Sequence, residues 1–179
     1  MGTPRITWCT IIETAEYVRL VVETGLKGKE RQSVKNLLKL VKHFEGCSLT
    51  AYKCPAGYYT IGWGTTEGVK PGMKISQFMA DFMLEKQLEE LQWTIGAMPG
   101  SARLTESQIQ ALCSFAYNVG LGALKKSTLL KRALAGASEE EITRQFMRWT
   151  TAKGKELPGL VRRRKAEAHF FHTGAVKLA

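Results

Sequence analysis

The stretch His43-Phe44-Glu45-Gly46-Cys47, continued by Cys54-Pro55-Ala56-Gly57-Tyr58-Tyr59-Thr60-Ile61-Gly62-Trp63-Gly64, changes its periodicity midway, and that change decides the fold. Upstream, Leu37, Leu38, Val41 and Phe44 recur at helical spacing, which predicts an amphipathic helix from about Ser33 to Phe44 with Gly46 just past its end. Downstream, residues 47–66 are turn-rich and strand-like, with Cys54-Pro55-Ala56-Gly57 as a turn. Glu45 therefore falls where an apolar helix gives way to strands. A carboxyl held against apolar surface keeps its proton to higher pH, as a general acid requires. In a strand over 58–64, alternation sets Tyr58, Thr60, Gly62 and Gly64 on one face and Tyr59, Ile61 and Trp63 on the other. Two readings of that glycine face stand side by side. It is open to a ligand, with the Thr60 hydroxyl positioning a water, or the glycines mark a bulge.

Working outward, residues 1–25 are rich in β-branched and aromatic residues and read as two short strands, with a linker at Gly25–Arg31. Beyond Pro71-Gly72, Leu84, Leu88, Leu91 and Ile95 define a long helix ending before Met98-Pro99-Gly100. Thr105 with Gln108 and Ser138 with Glu141 are capping boxes opening two further helices, the first carrying Ile109, Leu112, Ala116 and Tyr117, the second Ile142, Phe146 and Trp149. Another helix starts after Ser127, and a last one follows Pro158-Gly159. The outline is α+β: one helix, a small β-rich lobe, then a long helix leading into a helical lobe. Residues 1–30 form an N-terminal extension of short strands and residues 31–179 the main domain.

The chain has 179 residues, 26 Lys+Arg against 16 Asp+Glu and a formal net charge of +10. Hydrophobic residues at 44% and charged residues at 23% are ordinary globular composition, which excludes a largely disordered chain. The charge-free run Ile6–Ile12 is far short of the roughly 20 apolar residues of a membrane span. Arg5 and Glu13 interrupt any secretory signal, so a soluble chain made in the cytoplasm is expected. The basic excess is concentrated between Arg144 and Lys165, where Glu156 is the only acid. It suggests a polyanionic partner, whether nucleic acid, an anionic membrane or an acidic wall polymer.

At these residues the sequence resembles the phage lysozyme family of endolysins, glycoside hydrolase family 24, over about residues 33–174. The family pattern is a Glu at a helix end, an Asp or Cys nine residues on, and a Thr six further, here Glu45, Cys54 and Thr60. Leu104-Thr105-Glu106-Ser107-Gln108, Ser114–Gly122, Ser127-Thr128-Leu129-Leu130 and Leu157–Arg164 also look like the family. The resemblance implies a lysozyme-like fold and hydrolysis of the β-1,4 bond between N-acetylmuramic acid and N-acetylglucosamine in peptidoglycan, with no cofactor. In that reading Glu45 protonates the leaving oxygen, Cys54 faces the other side of the sugar, and Thr60 holds the attacking water. Tyr117, Asn118 and Ser127 match cleft-lining positions, with packing or capping as the alternative for each. One of Arg162–Arg164 would reach Glu45, although each taken singly reads as part of a solvated basic helix face. Thr65 stands where many members have His, so an ion pair built on that His is absent. His43, His169 and His172 make no metal site.

Of the four cysteines, Cys113 reads as a buried core thiol, and Cys47 and Cys54 bracket the active-site loop. A Cys47–Cys54 disulfide would silence the enzyme in an oxidising compartment, and exchange of Cys9 onto Cys47 would free Cys54 again. The expected partners are peptidoglycan and the anionic cell envelope, in place of nucleic acid. The chain is expected to be a monomer without a transmembrane segment, held in the host cytoplasm until a separate holin lets it reach the wall from the periplasm. The rival readings are an inert peptidoglycan-binding descendant, a lytic transglycosylase, and membrane disruption by the basic C-terminal region.

Overall fold

A computed structural model describes residues 28–54, 57–152 and 154–178, with the side chains of 28–34 left aside. Helix α1 (Gly28–Phe44) buries Leu37, Leu40 and Val41 completely. It begins inside the stretch expected to be a linker and inside the expected extension. Lys29, Glu30, Arg31 and Gln32 are good helix formers, and they outweigh the single Gly28. The strands expected within residues 1–25, and Cys9 with them, lie outside the described residues.

Strand β1 (Ser48–Lys53) pairs antiparallel with β2 (Tyr59–Gly62), Tyr52 opposite Thr60 and Lys53 opposite Tyr59. The register shifts between Ser48 and Tyr52, where Ser48 meets Gly62. On the other side of β1 the segment around Lys74 adds backbone bonds, from the Ala51 amide to Met73 at 2.8 Å and from the Ile75 amide to Leu49 at 3.0 Å. The strand expected to reach residue 64 stops at Gly62. Gly62 and Gly64 have φ of +62° and +118°, and reciprocal bonds between Ile61 and Thr65 close a tight loop. A Cβ on Gly62 would sit 3.5 Å from Ala80 Cβ, and one on Gly64 3.6 Å from the Tyr117 hydroxyl. Both distances are ordinary van der Waals contact, so it is the positive φ of the turn that calls for glycine at these two positions.

Helix α2 (Gln77–Gly96) is capped by Ser76, whose hydroxyl accepts from the Met79 amide, and buries Ala80, Met83, Leu84, Leu88 and Ile95. It packs on β2 and α1 at its start and on the next helix, α3 (Glu106–Val119), beyond, joining the small β lobe to a larger helical lobe. That lobe is completed by α4 (Leu121–Lys126), α5 (Thr128–Leu134), α6 (Glu139–Met147) and α7 (Pro158–Thr173). A short hairpin of β3 (Thr151–Ala152) and β4 (Lys155–Glu156) turns the chain back ahead of α7. The Thr105 capping box is reciprocal, whereas Ser138 caps in one direction only, accepting from the Glu141 amide. Trp149 falls just past α6 yet packs edge-on against Phe115 at 5.2 Å. This is the α+β, lysozyme-like arrangement expected.

One polar cluster fastens the two lobes. The Asp81 Oδ1 on α2 accepts from Trp63 Nε1 at 2.8 Å, Gln77 Nε2 at 2.9 Å and Lys42 Nζ at 2.9 Å, tying the last turn of α1 and the loop after β2 to one carboxylate. Burial pushes the Asp81 carboxyl up, but the bonds from Lys42, Trp63 and Gln77 outweigh it and hold it below its ordinary value. A lowered native value means that this stability is present above about pH 4 and is lost as pH falls through the native value. The side chain is 40% exposed, so screening limits the contribution to about 1 kcal/mol or less. Asp81→Asn is expected to flatten the dependence of melting temperature on pH below about pH 4. An unchanged slope would show that the clamp is not the group that titrates.

Candidate active site

Glu45 lies one residue past α1, its amide still bonded to the Val41 carbonyl at 3.0 Å, so the helix end fixes its backbone. Its side chain is 23% exposed. Arg163 Nη1, from α7, meets Oε1 at 2.5 Å, and the Arg163 guanidinium stands over the Phe44 ring at 5.7 Å. The Arg162–Arg164 run is accordingly not a solvated basic face. Arg162 is exposed, but Arg163 and Arg164 are buried, because the face of α7 packed on α3 carries charge.

The hairpin carries the other two expected catalytic positions. Cys54 lies one residue past β1, half-buried, with its amide bonded to the Tyr58 carbonyl and its carbonyl accepting from the Gly57 amide, a turn that fixes its backbone. Thr60, 4% exposed on β2, places its hydroxyl 3.4 Å from the Tyr58 carbonyl. Cys47, Cys54 and Cys113 are thiols; exposed Cys47 lies near the Gln77 amide, and burial pushes the Cys113 thiol up. Cys9, the remaining member of the expected exchange, lies outside the described residues.

Of the expected cleft residues, Tyr117 donates to the Trp63 carbonyl at 2.9 Å, bridging α3 to the loop after β2. Burial raises its phenol, and the neighbouring Glu45 carboxylate raises it further, so Tyr117 stands within electrostatic reach of Glu45. Exposed Asn118 accepts from Arg164 Nη2. Ser127 is 4% exposed and caps α5, donating to the Leu124 carbonyl and accepting from the Leu130 amide, so its hydroxyl is occupied by the helix start. A cavity of about 380 Å³ opens beside Tyr117, lined among others by Gly64, Thr65, Gln87, Glu90 and Leu91. Glu45, Cys54 and Thr60 are not among its lining residues. Gln87 Nε2 donates to Thr65 Oγ1 at 3.1 Å, a neutral bond at the position where the resemblance led one to look for His. Among the described residues no group of His, Cys, Asp and Glu is placed to hold a metal ion. No helix of the described residues is long and apolar enough to cross a membrane.

Two residues of this site escape sequence reasoning, Glu167 and Asp81. Glu167 is fully buried and binds both Arg163 and Arg164. Its spacing of four and three residues from them on a predicted helix was the available signal. Asp81 left only its spacing of four from Gln77, because Lys42 and Trp63 come from other elements.

The family described as phage lysozyme matches residues 42–167. The endolysin of Acyrthosiphon pisum secondary endosymbiont phage 1 is 36% identical over 140 residues, covering 76% of this chain and 94% of that protein. The endolysin of Bacillus phage B103 is 41% identical over 143 residues, covering 78% of this chain but only 54% of that longer protein. The solved muramidase domain of SpmX from Asticaccaulis excentricus superposes with a TM-score of 0.67 at 31% identity, covering 76% of this chain and 95% of that one. With the helix-end Glu, the hairpin and the α7 arginine all inside the matched span, the chain belongs to the phage lysozyme family.

Proposed function

We propose that the chain is an endolysin of muramidase type, cleaving the β-1,4 bond between N-acetylmuramic acid and N-acetylglucosamine in peptidoglycan. The observation that carries the reading is the helix-end carboxylate of Glu45, held by buried Arg163 beside a hairpin bearing Cys54 and Thr60. Glu45 gives its proton to the glycosidic oxygen as the bond to the anomeric carbon breaks. Thr60 holds the water whose oxygen bonds to that carbon, and Cys54 stands on the opposite side of the ring from the leaving group. With Cys54 as base, water attacks directly and the anomer inverts. With its thiolate as nucleophile, a thioglycosyl intermediate forms first and the anomer is retained. The excess of positive charge draws the protein to the anionic envelope. Because the wall lies outside the cytoplasm, a separate pore, a holin, would deliver it.

Digestion of purified peptidoglycan followed by mass spectrometry tests the proposal. The expected products are muropeptides with reducing-end muramic acid. Ends in 1,6-anhydromuramic acid would make the protein a lytic transglycosylase, and intact glycan would leave a binding protein.

A further inference from the structure

Behind Glu45 lies a chain of buried charges that the proposed reaction does not use. Arg163 is held on three sides: Nε donates to Glu167 Oε1 at 3.1 Å, Nη2 to the Ser114 carbonyl at 3.2 Å, and Nη1 to Glu45. Glu167, wholly buried, accepts in turn from the Ser114 hydroxyl at 2.7 Å and from Arg164 Nη1 at 2.5 Å. Arg164 continues to Asn118 and lies 4.8 Å over the Phe115 ring, with its buried Nε left without a partner. Burial pushes the Glu167 carboxyl up and the Arg164 guanidinium down, since each is costly to charge alone, and their mutual contact opposes both shifts. Each of these neighbours of the Glu167 oxygens is a donor, so the carboxyl bonds there as the anion.

We propose that Glu167 is a positioning residue for the glycosidase reaction, acting through Arg163 on Glu45; this rests on the muramidase reading. A single guanidinium facing a single carboxylate would form a full ion pair and hold the acid as its counterion. Glu167 draws on the same guanidinium from the far side and fixes its plane, while Arg164 balances the added negative charge. The charged group that meets Glu45 directly is Arg163 from α7. The groups that meet Glu167 are the two arginines of its own helix and Ser114 of α3.

Glu167→Gln keeps the side chain's size and removes the charge. In folded protein, with the amount normalised by circular dichroism, kcat on a soluble peptidoglycan oligosaccharide is expected to fall about 10- to 100-fold with KM within about twofold. The alkaline limb of kcat/KM is expected to move to lower pH, because Arg163 then has Glu45 as its sole carboxylate. Ser114→Ala, which deletes one donor and leaves both guanidinium bonds, is expected to give a smaller fall in kcat in the same direction. It decides the matter if Glu167→Gln does not fold. Wild-type kcat and an unmoved alkaline limb in a folded variant would overturn the proposal and leave Glu167 a structural counterion. Wild-type protein that releases no muropeptides would instead overturn the muramidase reading itself.

Discussion

Glu45→Gln is expected to lower the rate of glycan cleavage by about 10²–10⁴-fold, the usual contribution of a positioned general acid. The substitution keeps an oxygen that accepts from Arg163 Nη1 and removes only the proton that the leaving oxygen needs. Its structural cost is small by comparison. Arg163 stays bonded to Glu167 and to the Ser114 carbonyl, so turning one charged bond into a neutral one destabilises the fold by about 1 kcal/mol. Melting temperature and cleavage rate, measured on the same preparation, separate the two effects. Turbidity of permeabilised cells supplies a second arm. Lysis that survives the substitution but fails at high salt would point to membrane disruption by the basic surface, and lysis equal to wild type at all salt concentrations would remove Glu45 as the acid.

The second large effect belongs to the helical lobe. Phe115→Ala is expected to destabilise the protein by about 5 kcal/mol, lowering the melting temperature by about 10–20 °C. Phe115 is fully buried on α3 and meets Phe146 edge-on at 5.8 Å and Trp149 edge-on at 5.2 Å, so one ring holds together α3, α6 and the turn after it. Phe146 passes the contact on to Phe171 of α7 at 6.1 Å. The ring also supplies the face over which the Arg164 guanidinium lies, so its loss removes a favourable surface from a buried cation. Phe78, 68% exposed on α2, provides the contrast: alanine there is expected to stay within about 0.5 kcal/mol of wild type. A drop of only a few degrees for Phe115→Ala would mean that the neighbouring rings collapse into the space.

Much of this could be read in the residues before any coordinates. Leu84, Leu88 and Ile95 announced α2 because its buried face is apolar and regular, and Thr105 with Gln108 announced the start of α3 because a cap is a local device. The position of Glu45 at the end of α1 was equally plain. What stayed hidden depends on distant chain segments meeting. Residue 163 is remote from residue 45 in sequence, and its helix offered no clean apolar face because the inward side carries Arg163, Arg164 and Glu167 among its alanines and phenylalanines. Binary patterning assigns such residues to solvent. The end of β2 was missed for a different reason. Alternation continues on paper through Gly64, but the two glycines take positive φ and the backbone turns there.

The buried charges have a further consequence. Glu45, Arg163, Glu167 and Arg164 balance one another, so the whole basic excess of the chain resides in its other residues. Dissolved ions screen exposed charge over about 8 Å at physiological ionic strength and reach a dehydrated cluster far less. On the proposed muramidase reading, ionic strength is therefore expected to set how long the protein stays on the wall and to change the chemistry little. On the same reading, exchanging a surface lysine or arginine is expected to alter wall attachment without retuning the acid.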